Sequence, residues 1–245
     1  TSLAKIMLIY CKFQNIGNNK ISMVRLFAMG KVHIYKSFIF NASSTLFRIE
    51  RCKVVTLNHI IIMGLLNTEP RHAYYFDNCL SSNSIIYAQS VYKIRIMNST
   101  FSYIKCTVLH IYNVQTLVSI KNKFRNCSNY GGAALNIQVA IAHTRNVKIY
   151  IRNDSFLACK SIEGSASLKI NALKQADILV LDQSENFLQQ DNKIGSKICV
   201  ILRNSFFLHN IGYKGGSLCL KGAYIVKFIN CKFTKNKGQD YGGAV

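Results

Sequence analysis

Nine cysteines, six histidines and a large excess of lysine and arginine are the residues of this 245-residue chain with chemical reach. A zinc site would need cysteines or histidines in closely spaced pairs. No Cys-x-x-Cys occurs, and the histidines at 33, 59, 72, 110, 143 and 209 are scattered. Neither a metal site, nor a cofactor site, nor a histidine-activated nucleophile is therefore expected. The two enlarged repeats between Phe124 and Phe187 could throw loops over one face, and the acids there are Asp154, Glu163, Asp177, Asp182 and Glu185, with Lys148 and Arg152 close by. Polysaccharide hydrolysis and elimination need paired carboxylates, or a carboxylate-bound cation beside a base. No tight acid pair is present, so these acids read as solvated loop residues and no catalytic residue is assigned.

The charge is a stronger signal. Thirty-one basic residues face ten acidic ones, giving a formal net charge of +21. Long-range attraction to polyanions follows, or else a solvated face that resists edge-to-edge association. Lys93, Arg95, Lys148, Arg152, Arg203 and Lys227 alternate with apolar residues in short stretches, which turns them outward and makes them a candidate basic ribbon. Such a ribbon would hold anionic glycans or other polyanions chiefly by charge. No recognised nucleic-acid module accompanies it, so specific nucleic-acid binding is not expected.

The elements that must position these residues are short strands. The composition is 49% hydrophobic and 17% charged, rich in β-branched and aromatic residues. Stretches such as Lys31-Val-His-Ile34, Lys53-Val-Val-Thr-Leu57, Lys93-Ile-Arg-Ile96, Val147-Lys-Ile-Tyr-Ile151, Ile198-Cys-Val-Ile-Leu202 and Tyr224-Ile-Val-Lys-Phe228 alternate with a period of two. The longest apolar run, about His59 to Leu66, is too short to span a bilayer as a helix. No transmembrane segment is expected.

The strands recur. Asn204-Ser-Phe-Phe207-Leu-His-Asn210 leads into Gly215-Gly216-Ser217-Leu218, and Asn230-Cys-Lys-Phe233-Thr-Lys-Asn236 leads into Gly242-Gly243-Ala244-Val245. A repeat of twenty-odd residues implies stacked units. Extending the pattern places a buried apolar anchor at Phe13, Phe38, Ile60, Leu80, Phe101, Phe124, Phe156, Phe187, Phe207 and Phe233. The expected fold is all-β: a single-stranded right-handed parallel β-helix, a solenoid of about ten coils. One continuous domain over 1–245 is the simplest organisation, and a chain that starts without methionine and stops inside a repeat reads as a segment of a longer one.

In such a stack like residues meet like residues. Phenylalanine rings should stack along the core. Asn98, Asn153, Asn204 and Asn230, three before an anchor, and Asn41, Asn83, Asn210 and Asn236, three after, suit left-handed corners and hydrogen-bonded ladders. The same turn role accounts for the glycosylation-like triplets at Asn41, Asn98, Asn126 and Asn153. Gly131-Gly132, Gly215-Gly216 and Gly242-Gly243 suit corners that need positive φ or lack room for a side chain. Cys127 and Cys159 each follow an anchor by three and should lie one rung apart, which suits either a disulfide or a buried ladder of reduced thiols.

At Phe207-x-x-Asn210 with Gly215-Gly216-Ser217-Leu218, and Phe233-x-x-Asn236 with Gly242-Gly243-Ala244-Val245, the sequence resembles the repeats of chlamydial polymorphic outer membrane proteins. It also resembles right-handed β-helix proteins of the pectate-lyase-like superfamily. Phe124-Arg-Asn-Cys127 with Gly131-Gly132-Ala133 is a partial copy. The resemblance implies a surface-exposed or secreted β-helix segment, non-enzymatic, acting as a rigid spacer or an adhesive surface. The superfamily also contains polysaccharide lyases and hydrolases, which makes a carbohydrate-active enzyme the alternative; a general polyanion binder is another.

Overall fold

The computed structural model describes residues 4–16, 23–42, 45–64, 84–129, 134–140, 146–162, 164–173, 198–222 and 225–243. These residues are all-β, with no helix among them and so none long and apolar enough to cross a membrane. Every strand pairing is parallel, which is consistent with a β-solenoid. Each strand pairs with its counterpart further along the chain rather than with its sequence neighbour.

Three sheets result. In the 13-stranded sheet, two columns of short strands are joined by the long strands Ser84–Met97 and Thr107–Ile120. We call these columns the leading and middle faces. The leading face contains Val24–Phe27, Phe47–Glu50, residues 84–89 and 107–112, Leu135–Ala140, Leu168–Leu173 and Leu218–Lys221. The middle face contains Lys5–Ile9, Lys31–Tyr35, Val54–Asn58, residues 91–97 and 114–120, Val147–Arg152, Ile198–Arg203 and Ile225–Ile229. The trailing face is the 8-stranded sheet running from Lys12–Ile16 to Lys232–Thr234, and four short strands make a third sheet.

Alternation builds the core. Along Val147–Arg152, Val147, Ile149 and Ile151 are buried while Lys148 and Arg152 are exposed. On the trailing face, Phe101, Phe124, Phe156, Phe207 and Phe233 stack in one continuous row, their centroids 4.7–4.8 Å apart and their planes within 13°. Four of these rings are almost fully buried, each contributing about 1.5–3 kcal/mol of hydrophobic stabilisation.

The row corrects two expected anchors. Phe13 pairs with Ile39, and Ile39 with Ile62, so the residues that join the row at those rungs are Ile39 and Ile62, not Phe38 and Ile60, although Ile60 is itself buried one column earlier. Phe38 points outward, 42% exposed, and lies parallel to Phe40. Alternation, rather than size, decides which residue faces in. Ile62 then pairs directly with Phe101, and Phe156 directly with Phe207. The anchors assigned to Leu80 and Phe187 lie outside the described residues, and direct pairing leaves no place between these rungs for another. Eight strands, rather than the ten rungs expected, form the row among the described residues.

With the anchors corrected, the corner three residues before each becomes uniform. Tyr10, Lys36, His59, Asn98, Lys121, Asn153, Asn204 and Asn230 all have φ between 47° and 56°. Asparagine tolerates this left-handed conformation best and fills half of the column. The glycine doublets divide two demands between them. Gly215 and Gly242 adopt φ of 74° and 49°, whereas a Cβ on Gly216 would lie 2.0 Å from the carbonyl oxygen of Gly243.

Candidate functional site

One residue past each left-handed corner, the side chain turns into the protein. This column reads Cys11, Ser37, Ile60, Ser99, Asn122, Asp154, Ser205 and Cys231, and its central polar members are buried. Successive coils are laced together there. Ser37 Oγ accepts the Cys11 N–H at 3.3 Å, and Ser99 Oγ accepts the Ile60 N–H at 3.1 Å. Asn122 Oδ1 accepts the Ser99 N–H at 3.0 Å, and Asp154 Oδ1 accepts the Asn122 N–H at 2.8 Å. Ser119 Oγ donates to the other Asp154 oxygen.

Asp154 therefore belongs to the interior, which corrects its reading as a solvated loop acid. Burial pushes its carboxyl up to about 7, with the donors Ser119 and Asn122 acting in the opposite direction. Of the other acids in the candidate cluster, Glu163, Asp177, Asp182 and Glu185 lie outside the described residues. Lys148 and Arg152 sit on the middle face, directed away from Asp154 by alternation.

A second column, three residues past the anchors, holds Cys127, Cys159, Asn210 and Asn236. The asparagine ladder expected here is present: Asn210 Nδ2 donates to Asn236 Oδ1 at 3.0 Å and to the Phe156 carbonyl at 3.1 Å. Asn210 Oδ1 accepts the Cys159 N–H at 3.0 Å. Cys127 and Cys159 are free, fully buried thiols, and burial together with each other's proximity raises the pKa of Cys127. Of the two arrangements open to them, the structure has the reduced ladder.

Two outward faces can meet a partner. On the middle face, Lys93, Arg95, Lys148, Arg152, Arg203 and Lys227 all occupy outward positions. Arg152 pairs in register with Arg203, and Lys93 is one rung from Thr116 and two from Lys148. Arg95 and Lys227 share a column but are separated by Val118, Tyr150 and Ile201. Among the described residues, none of the six is in an ion pair. The same face adds Lys5 and Lys31, in direct register and absent from the ribbon chosen from sequence. His33 nearby is driven toward its neutral form by burial and by Lys5, Lys31 and Arg95.

The leading face differs in kind. Its outward residues run Arg25, Arg48, Tyr87, His110, Asn136 and Lys169 in one column, and Phe27, Glu50, Gln89, Tyr112, Gln138 and Asn171 in the next. Glu50 is gripped by Arg25 at 2.7 Å and Arg48 at 2.6 Å. Burial acts to raise its pKa, but the two guanidinium groups outweigh burial and hold it low. The Arg48 guanidinium lies 5.5 Å from the Tyr87 ring centre, and Tyr87 meets His110 edge-on at 5.5 Å.

Further along this face, polar atoms lose contact with water without gaining a partner: His110 Nε2, Asn136 Oδ1 and Asn171 Oδ1 are buried and make no hydrogen bond. Burial pushes His110 down to about 4; a hydrogen bond with Gln138 acts upward and Lys169 downward. The sequence carries this face as apolar-x-apolar-x quartets: Phe47-Arg-Ile-Glu50, Ile86-Tyr-Ala-Gln89, Leu109-His-Ile-Tyr112, Leu135-Asn-Ile-Gln138 and Leu168-Lys-Ile-Asn171. Selecting for lysine and arginine alone passed over them.

No family model, no curated protein and no solved structure matches the chain.

Proposed function

We propose that this chain is a right-handed β-helix segment that works without catalysis, as a rigid spacer and adhesive surface toward anionic glycans, outside the cell or at its surface. The carrying observation is the middle face, where Lys5 beside Lys31 and Arg152 beside Arg203 stand in register with no acid interposed. Like charges directly opposite one another on a sheet repel, and a bound polyanion relieves that repulsion. A flat parallel sheet repeats this chemistry along its length, which suits a linear sulfated or uronic polymer. Supporting it are the net charge of +21 and the resemblance of the closing repeats to those of polymorphic outer membrane proteins.

Heparin-affinity chromatography tests the reading. The protein is expected to stay bound above about 0.5 M salt, and the triple variant K148E/R152E/R203E to elute near physiological salt. Elution of both proteins at the same low salt would leave general charge as the sole cause and overturn the assignment.

A further inference from the structure

Three of the Asn-x-Ser/Thr triplets lie within the described residues, and all three meet the surface in the same way; the fourth, at Asn41, ends outside them. In Asn98-Ser99-Thr100, Asn126-Cys127-Ser128 and Asn153-Asp154-Ser155 the middle residue turns inward and is buried. Its two neighbours face out together, because an extended chain alternates with a period of two. A glycan acceptor needs an amide with a hydroxyl two residues further on, and that is the spacing this corner builds.

Asn98 is the most accessible of the three: it is exposed, whereas Asn126 and Asn153 are half-buried. Its left-handed corner, φ 50°, is a property of the backbone, and the backbone N–H donates to the Ile120 carbonyl at 3.0 Å. The side chain stays at the surface, where Nδ2 donates to Asn58 Oδ1 at 3.2 Å. Thr100 opens the strand Thr100–Ser102 of the trailing face, in register with Ile61 on one side and Lys123 on the other. A primary amide has two N–H groups, so substitution of one leaves the other for Asn58. The turn role and a modification are therefore compatible at Asn98, since the first uses the backbone and the second the amide nitrogen.

We propose that Asn98 is an N-glycan acceptor, with Thr100 supplying the hydroxyl of its recognition triplet. Nδ2 forms a bond to the anomeric carbon of an oligosaccharide carried on a lipid pyrophosphate. The bond from that carbon to the pyrophosphate oxygen breaks, the amide gives up one proton, and the lipid pyrophosphate leaves. Attachment rests on the reading that the chain works outside the cell, because the transferase acts on the secretory route. The glycan stands where the middle face turns into the trailing face, a bulky hydrated group that limits side-by-side approach of other chains.

The test expresses the whole chain behind a cleavable secretory signal peptide in cultured eukaryotic cells. Both the secreted and the cell-retained protein are read, since transfer happens on entry to that route. Peptide-N-glycosidase in heavy-oxygen water marks each occupied asparagine as a labelled aspartate for peptide mass spectrometry. Asn98 is expected to carry the label in most copies. Thr100→Val should abolish it, and Thr100→Ser should retain it. The glycosylated protein should melt within a few degrees of the enzymatically deglycosylated one. An unmodified Asn98 in both fractions, occupancy that survives Thr100→Val, or a glycosylated form without a cooperative melting transition would each overturn the proposal. Heparin retention without a glycan would sink this assignment alone, and a glycan without retention would sink only the polyanion reading.

Discussion

Phe156 stacks face to face on Phe207, ring centroids 4.8 Å apart and planes 5° from parallel, although residues 174–197 lie between them in sequence. The strands around them agree: Asn171 pairs with Lys221, and Cys199 with Ile225. Three residues separate Lys221 from Ile225, and joining Leu173 directly to Ile198 would leave the same three between Asn171 and Cys199. Deleting 174–197 should therefore preserve the register, with an unchanged β-type circular dichroism spectrum and a melting temperature within a few degrees of the parent. A cooperative transition lost altogether would refute this.

Within the row, Phe156→Ala removes a ring packed on both faces. The expected cost is about 3–5 kcal/mol, read from urea unfolding, and Phe156→Leu should recover part of it.

Asp154 makes stability depend on pH in an unusual direction. Its folded pKa of about 7 lies above the ordinary 3.8, so the folded state holds the proton more tightly than the unfolded chain. The contribution is fully present below pH 4, falls as the pH rises from 4 to 7, and is absent above that. Asp154→Asn keeps an acceptor for the Asn122 N–H without the charge. It should flatten this window and stabilise the protein at pH 8 by up to about 4 kcal/mol, measured as chemical denaturation midpoints across the pH series.

The Asn210 ladder predicts a graded pair. Asn210→Ala leaves the Cys159 N–H and the Phe156 carbonyl without their side-chain partner and should cost about 2–3 kcal/mol. Asn210→Cys reproduces the residue found one and two rungs earlier in this column, at Cys159 and Cys127, and should cost less in the same unfolding assay.

At the glycine corner, Gly216→Ala drives a methyl group into the Gly243 carbonyl, a backbone atom with little room to retreat. Gly215→Ala meets the left-handed penalty, about 1 kcal/mol. Thermal melting should rank Gly216→Ala well below Gly215→Ala.

Much of this architecture was legible in the sequence because a period of two and a recurrent Asn-x-x-Phe corner are local signals. Asn98, Asn153, Asn204 and Asn230 take the backbone conformation their chemistry suggests. What local signals could not supply is which coil follows which. Leu80 and Phe187 satisfied the spacing, yet Ile62 reaches Phe101 and Phe156 reaches Phe207 directly. Size favours Phe38 over Ile39 as the anchor, whereas alternation turns Ile39 inward. Asp154 is a single polar residue beside a turn, and that alone does not reveal that it faces inward. That became visible only when Ser37, Ser99, Asn122 and Ser205 aligned with it. The leading-face quartets are each ordinary by themselves, and only the register turns them into a face.

The stacked phenylalanines also act as a ruler. Because rings repeat at 4.7–4.8 Å and the middle-face strands pair in continuous parallel register, outward side chains recur along the stack at that same pitch. A linear polymer lying along the stack meets this lattice repeatedly, and its contacts accumulate only where its own repeat is commensurate with the rung. Discrimination between chains of similar chemistry would then be metric: a polymer is accepted or refused by its step length.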